Sequence, residues 1–244
     1  LVTGDLVPDS GTAVVTGTDG GAGGLRRAPD VLAMTGTVGD YFDAATAEVR
    51  GLTARFEAVT AALADEPDAA EERRLSREYD GLLSAMEAAD VWGLDARVHE
   101  TLAGLGLGAI TGEEGRAREL ATLSPGQRGR LELAATLLAS PSVLVLDEPT
   151  NHLDDDAARY LAGLLRDFTG PVLLASHDRA FLDDVATVLL DLDTAPWQAL
   201  LTAEGAGALP GVQRCAGSYT DYLTQKAVAR TEHARLHTAQ QEEK

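Results

Sequence analysis

From residue 40 to residue 92 apolar side chains return every three or four positions. Phe42, Ala45, Val49, Leu52, Phe56, Val59 and Leu63 form one stripe, the spacing of an amphipathic helix. Asp65-Glu66-Pro67-Asp68 breaks the stripe, and Leu75, Tyr79, Leu82, Met86 and Ala89 resume it. The pattern predicts two antiparallel helices packed stripe to stripe. Such a hairpin needs no chemistry to explain it. A shorter helix is expected over Leu94 to Leu105. After Ser124 the pattern changes. A helix (Gly126 to Leu138), a strand (Val143 to Asp147), a helix (Asp155 to Phe168), a strand (Val172 to Ser176), a short helix (Arg179 to Val185) and a strand (Ala186 to Asp191) alternate. The runs VLVLD and VLLAS are continuous and apolar, as in a sheet covered on both faces. Alternation of this kind predicts an α/β fold around a parallel sheet.

The two ends read differently. Thr12 to Thr16 (TAVVT) is a β-branched strand candidate, flanked by turn chemistry at Gly4 to Gly11 and a glycine-rich run at Gly17 to Gly24. That run has no lysine and does not lead from a buried strand into a helix, so it reads as a turn, not a phosphate cradle. Tyr219 to Lys244 is a polar helix with few large apolar residues after Leu223. It cannot bury a core alone and is expected to project as a linker helix. No internal repeat is present.

Composition narrows the classes. Of 244 residues, 45% are hydrophobic, enough for a core and too many for general disorder. The net charge of −19 argues against a stand-alone nucleic-acid binder, which needs a basic footprint. No apolar run approaches the length that spans a bilayer. The opening Leu1-Val2-Thr3-Gly4 has neither an initiator Met nor a signal-peptide pattern. Cys215 is the lone cysteine; it cannot form an internal disulfide, which fits a reducing cytoplasm. Cys215, Trp92 and Trp197 carry no motif and read as structural or incidental.

The chemistry concentrates where the strands end. Leu144 to Leu146 lead into Asp147 and Glu148, two adjacent carboxylates at the carboxyl end of a buried strand, the edge that faces the ligand crevice of a parallel sheet. Neighbours on a strand point opposite ways, so the two can divide the work. Asp147 is placed to hold Mg²⁺ through water; Glu148 is placed to polarise an attacking water. Alone, the pair would read as solvated acids capping a strand. Two further features change that weighting. Ser124, 23 residues before Asp147, opens a helix as Ser124-Pro125-Gly126-Gln127, where backbone amides and the helix dipole favour an anion. His177, 30 residues after Asp147, ends the next strand, where it can donate to a phosphate oxygen.

These motifs resemble a known family. LSPGQ (Leu123 to Gln127) resembles the signature of ABC ATPases, with Pro125 where Gly is usual. LVLDEPTNHLD (Leu144 to Asp154) resembles Walker B followed by the D-loop, and SHDRAFLDDV (Ser176 to Val185) resembles the histidine switch. EPTNHLD with SHDRAFLD is similar to the ABC-F branch, soluble tandem ATPases that act on ribosomes; GSYTDYL (Gly217 to Leu223) resembles its approach to the interdomain linker. The resemblance implies a P-loop NTPase core with a mostly parallel sheet and an inserted helical subdomain. Residues 1–35 and 138–215 would be the partial core, 36–137 the helical subdomain, and 216–244 the start of the linker. It implies ATP and Mg²⁺ as ligands. Ser124, Gly126 and Gln127 would serve the nucleotide of a second ATPase domain. Asp147, Glu148 and His177 would serve the domain's own nucleotide, and Asp154 would cross to the opposite site. The ribosome, with its rRNA and tRNA, is the implied partner, in the cytoplasm, without membrane insertion.

Two elements of the family pattern are missing. Walker A needs a lysine in a glycine-rich turn, and no lysine precedes Lys226. Either the domain is degenerate or the chain is a fragment. Leu1 to Gly11 resembles the stretch just after Walker A, so a partial chain is expected, the first ATPase domain of its protein and inactive by itself. The family's Q-loop glutamine is also absent: the first glutamine is Gln127, and the matching stretch near Leu25 to Val31 offers Asp30. Two other functions compete, a transporter's nucleotide-binding subunit and a non-catalytic ABC module.

Overall fold

The computed structural model describes residues 35–141, 143–198 and 211–242. The expected strand at Thr12 to Thr16, the Gly17 to Gly24 turn and Asp30 lie outside them. The chain forms two compact units, Leu1–Ala175 and Ser176–Lys244.

The first unit opens with the expected hairpin. Helix α1 is Val38–Ala64 and α2 is Ala69–Ala88. Thr37 and Asp40 form a reciprocal capping box at the start of α1: Thr37 Oγ1 accepts from the Asp40 amide at 3.2 Å and the Asp40 carboxylate accepts from the Thr37 amide at 2.8 Å. The carboxylate of Asp68, in the predicted break, accepts from the Ala70 and Glu71 amides and starts α2. The two stripes meet where predicted. Val59, Leu75 and Leu82 are buried together, with Leu52, Phe56, Leu63 and Tyr79 packed around them, and the rings of Phe56 and Tyr79 lie 4.8 Å apart. One departure is instructive. Ala45 of the stripe is only half-buried, whereas Thr46 beside it is buried. The Thr46 hydroxyl donates to the Phe42 carbonyl at 2.7 Å, and a satisfied hydroxyl can enter a core.

Helix α3 (Leu94–Gly104), the short α4 (Glu113–Arg116) and α5 (Pro125–Leu138) come next. Strand β1 (Leu144–Asp147), α6 (Asp155–Asp167) and β2 (Val172–Ala175) complete the unit. The strands pair in parallel, Leu144 with Val172 through to Asp147 with Ala175, as the alternating pattern predicts. Burial is deep only on one face of β1, where Leu144 and Leu146 lie, and Val145 on the other face is half-buried. In β2, Val172 is 36% and Leu173 40% exposed. Among the described residues β2 pairs with β1 alone. An apolar run reports what a strand suits; its neighbours decide what it buries.

The second unit contains, in order, α7 (Arg179–Val185), β3 (Val188–Asp191), β4 (Gln213–Ala216) and α8 (Tyr219–Glu242). Here the sheet is antiparallel, β3 against β4 from Val188 with Ala216 to Asp191 with Gln213. The sequence pattern does not foresee β4. It is four residues long with Cys215 as its buried anchor, and three polar or small neighbours hide the alternation. Burial pushes the Cys215 thiol up, away from nucleophilic use.

Helix α8 is present as expected, but its first turns are docked. Lys226 and Ala229 are buried. The Lys226 ammonium lies 2.8 Å from the Asp191 carboxylate and donates to the Tyr222 hydroxyl at 2.9 Å. Asp191 also accepts from Trp197 Nε1 at 2.9 Å and from the Tyr222 hydroxyl at 3.0 Å. Trp197 is thus structural, while Trp92 is 66% exposed. Asp183 of α7 accepts from the Thr220 amide at 2.7 Å, which ties α7 to the base of α8. Among the described residues no helix is long and apolar enough to cross a membrane.

Candidate functional site

Ser124 is the N-cap of α5. Its hydroxyl accepts from the Gln127 amide at 3.2 Å, and the Gln127 side-chain carbonyl accepts from the Ser124 amide at 3.0 Å. Two of the three predicted signature residues therefore bond to each other. Pro125, where the family pattern has Gly, takes the first helical position, where its fixed φ suits a helix and its missing amide hydrogen costs nothing. The residue that departs from the pattern thus stiffens the turn. Ser124 is exposed, and Gly126 and Gln127 are half-buried.

Asp147 is the last residue of β1 and is exposed. Glu148 has left the strand: its φ is 47°, in the left-handed region that few non-glycine residues visit. The strand alternation expected to separate the two carboxylates is therefore replaced by a turn. The Glu148 amide still donates to the Ala175 carbonyl of β2 at 2.7 Å. The chain then doubles back, the Asn151 amide donating to the Glu148 carbonyl at 3.1 Å and the Leu153 amide to the Thr150 carbonyl at 3.1 Å. His152 sits in this turn with φ 67°. Backbone held in such regions clusters at functional sites.

Asp154 closes the turn as the N-cap of α6, its Oδ1 accepting from the Ala157 amide at 2.9 Å. The turn also meets the signature. A Cβ built on Gly126 would lie 3.4 Å from Cβ of His152, so the two motifs are in contact within one unit. His177 belongs to the second unit and is exposed. It stands just ahead of Asp178, whose carboxylate caps α7 by accepting from the Phe181 amide at 3.0 Å. Sequence reasoning used His152 only as part of the family motif and gave no role to Arg130. The unusual backbone of His152 leaves no trace in hydrophobic pattern, and the role of Arg130 depends on carbonyls more than 20 residues away.

Among the described residues no group of three or more His, Cys, Asp or Glu could hold a metal ion. Asp147 offers a single exposed carboxylate instead. That donor set fits Mg²⁺, which keeps several waters and binds through one or two carboxylates plus substrate phosphates. It does not fit a closed all-protein cage.

Comparison with known proteins shows the family. The sequence profile of the family described as "ABC transporter" matches residues 1–151. The chain is 38% identical over 232 residues to the tylosin resistance ATP-binding protein TlrC of Streptomyces fradiae, covering 94% of this chain and 38% of that protein. It is 31% identical over 229 residues to ABC transporter F family member 5 of Arabidopsis thaliana, covering 93% and 30%. It is 34% identical over 193 residues to the energy-dependent translational throttle protein EttA of Escherichia coli K12, covering 78% and 30%. The chain spans about a third of the length of these relatives. With a signature turn set against the turn that follows Asp147 and Glu148, and with these matches, the chain belongs to the ABC transporter family and stands with its ABC-F members.

Proposed function

We propose that this chain is part of an ATP-hydrolysing ABC-F protein that acts on the ribosome in the cytoplasm, in translation or in protecting the ribosome from an antibiotic. The observation that carries the reading is the contact of two motifs in one unit: the helix start Ser124 to Gln127 lies against the turn that follows Asp147 and Glu148. The names of the relatives, a tylosin resistance protein and a translational throttle, support the biological side. In this reading residues 1–35 and 138–215 are core, 36–137 are the helical subdomain, and 216–244 begin the linker to a second ATPase domain.

Each candidate residue then has its own task. Ser124, Gly126 and Gln127 present a fixed hydroxyl and helix-start amides to the nucleotide of the second domain. The capping box holds that hydroxyl at the helix start before any ligand arrives, which lowers the ordering cost of binding. Asp147 would hold Mg²⁺, and the ion would supply charge neutralisation to the phosphates. Glu148 accepts a proton from the attacking water. His177 donates to a phosphate oxygen. Asp154 uses Oδ1 to cap α6 and turns its other oxygen to the opposite site. Phosphoryl transfer to water needs positioning and charge more than covalent chemistry, and these groups supply both.

The test is Glu148→Gln in the full protein that contains this chain. Turnover should be lost while ATP stays bound, and the variant should co-sediment with ribosomes when ATP is present. Undiminished hydrolysis removes Glu148 from its role. Trapped ATP without co-sedimentation removes the ribosome and leaves the ATPase.

A further inference from the structure

Arg130 lies one helical turn beyond Gly126 on α5. Its Nε donates to the Gly126 carbonyl at 3.3 Å. One Nη donates to the carbonyls of Leu105 at 3.1 Å and Gly106 at 3.3 Å. Leu105 is the C-cap of α3, so the guanidinium meets the end of a helix, where unpaired carbonyls and the dipole favour a cation. Gly106 keeps this seat open in two ways. Its φ is +69°, and a Cβ there would lie 2.7 Å from the Arg130 nitrogen. The other side of the same turn is also occupied. A Cβ on Gly104 would lie 2.5 Å from the ring of Tyr160, a residue of α6, the helix that Asp154 caps. The last turn of α3 is thus held between the helix that starts at the signature and the helix that starts at Asp154.

We infer that Arg130 is a positioning residue for the nucleotide site: it sets the place of the Ser124 to Gln127 turn by tying Gly126 to the end of α3. The inference rests on the ATPase reading. Arginine suits the task because its planar fork serves several carbonyls at once, whereas lysine is a point donor on a flexible stem. A lysine keeps a charge at the helix end but loses the bridge.

The test compares Arg130→Ala, Arg130→Lys and Gly106→Ala in the full protein, with Ser124→Ala as reference, by ATP turnover, KM and Tm. Ser124→Ala should lower kcat. Arg130→Ala should lower kcat by about 10- to 100-fold, as small misplacements of catalytic groups do, with KM little changed. Arg130→Lys should recover Tm but not kcat. Gly106→Ala keeps the arginine and removes its seat, and should lower kcat in the same way even if Arg130→Ala fails to fold. Combined with Ser124→Ala, the Arg130→Ala loss should largely disappear, because both act on one turn. Folded Arg130 and Gly106 variants with the parent kcat would overturn the inference and leave the ATPase reading standing. So would losses that multiply with that of Ser124→Ala. Unchanged turnover in Ser124→Ala would bring down the signature reading and Arg130 with it.

Discussion

Helices α5 and α8 begin with the same device and go on to different ends. Ser124 and Gln127 cap α5 reciprocally; Ser218 and Asp221 do so at α8, the Asp221 carboxylate accepting from the Ser218 amide at 2.9 Å. Thr37 and Asp40 repeat it at α1. In α1 and α8 a glycine with positive φ, Gly36 or Gly217, precedes the cap. In α5 Leu123, which is buried, takes that place. The cap is therefore not a mark of function; the residues after it are. After Ser124 come Pro125 and Gly126, which leave the helix start small and stiff against His152. After Ser218 come Tyr222 and Lys226, which are drawn into the Asp191 cluster. Most candidate polar groups, Ser124, Asp147, Asp154 and His177, are exposed. The polar groups that hold α8 in place are bonded to one another, with the Lys226 and Asp191 side chains nearly buried. Exposed groups on a fixed backbone stay open to a ligand; burial with complete pairing spends polar groups on the fold.

The largest expected effect belongs to the candidate site, where Glu148 is half-buried. Glu148→Gln should cost about 10²- to 10⁴-fold in turnover, the usual worth of a general base, while urea unfolding stays close to the parent. A variant that loses stability instead of turnover breaks the contrast. In the buried class, Lys226→Met leaves the Asp191 carboxylate without its cation, with side-chain exposures of 11% and 8% in the pair. The loss should be about 3 kcal/mol in urea unfolding, as for other buried pairs missing one partner.

Acid should sharpen this contrast. Burial raises the Asp191 pKa, but Lys226, Trp197, the Asp193 amide and Tyr222 outweigh it and hold the carboxyl below its ordinary value. For Lys226, burial works downwards and Asp191 and Tyr222 outweigh it, so its pKa is raised. A depressed acid stabilises above its ordinary pKa and loses that contribution as pH falls through its folded value. A raised base stabilises below its ordinary pKa and loses its contribution only in strong alkali. The stability difference between the parent and Lys226→Met should therefore be level through neutral pH and shrink as pH drops below the ordinary carboxylate range. A difference that persists unchanged in acid argues that packing, not charge, holds α8. The smallest effect compares the two caps. Ser124→Ala and Ser218→Ala should each cost about 1 kcal/mol of stability, but only Ser124→Ala should reduce turnover. Equal turnover in the two variants would erase the distinction drawn between them.

Much of this was legible in the residues. The 3.6-residue stripe over residues 40–92 marked the hairpin, and Asp68 in its break became the cap of α2. The apolar runs marked β1 and β2 and their parallel pairing. LSPGQ and DEPTNHLD identified the family before any geometry, because their spacing is set by a backbone path that few other sequences need. Local physics, periodicity and capping chemistry, suffices for such features.

Other features depend on partners distant in sequence. In β4, Cys215 is buried with Trp197 and Ala229 in a cluster that Leu189 and Tyr222 pack against, though QRCA alone has little strand pattern. Lys226 read as a basic residue of a polar linker helix, and Asp191, 35 positions earlier, turned it into a buried anchor. Glu148 read as the outward neighbour of Asp147 on a strand; the turn back towards α6 placed it in left-handed backbone instead. Arg130 belongs to no sequence motif, and the end of α3 supplies the carbonyls it bonds. The sequence by itself determined which elements form and which family they compose, because those depend on neighbours within a few residues. Only the tertiary structure decided which polar groups stay open and which are spent on the fold, because a charge acquires its surroundings from partners that the chain brings to it from far away.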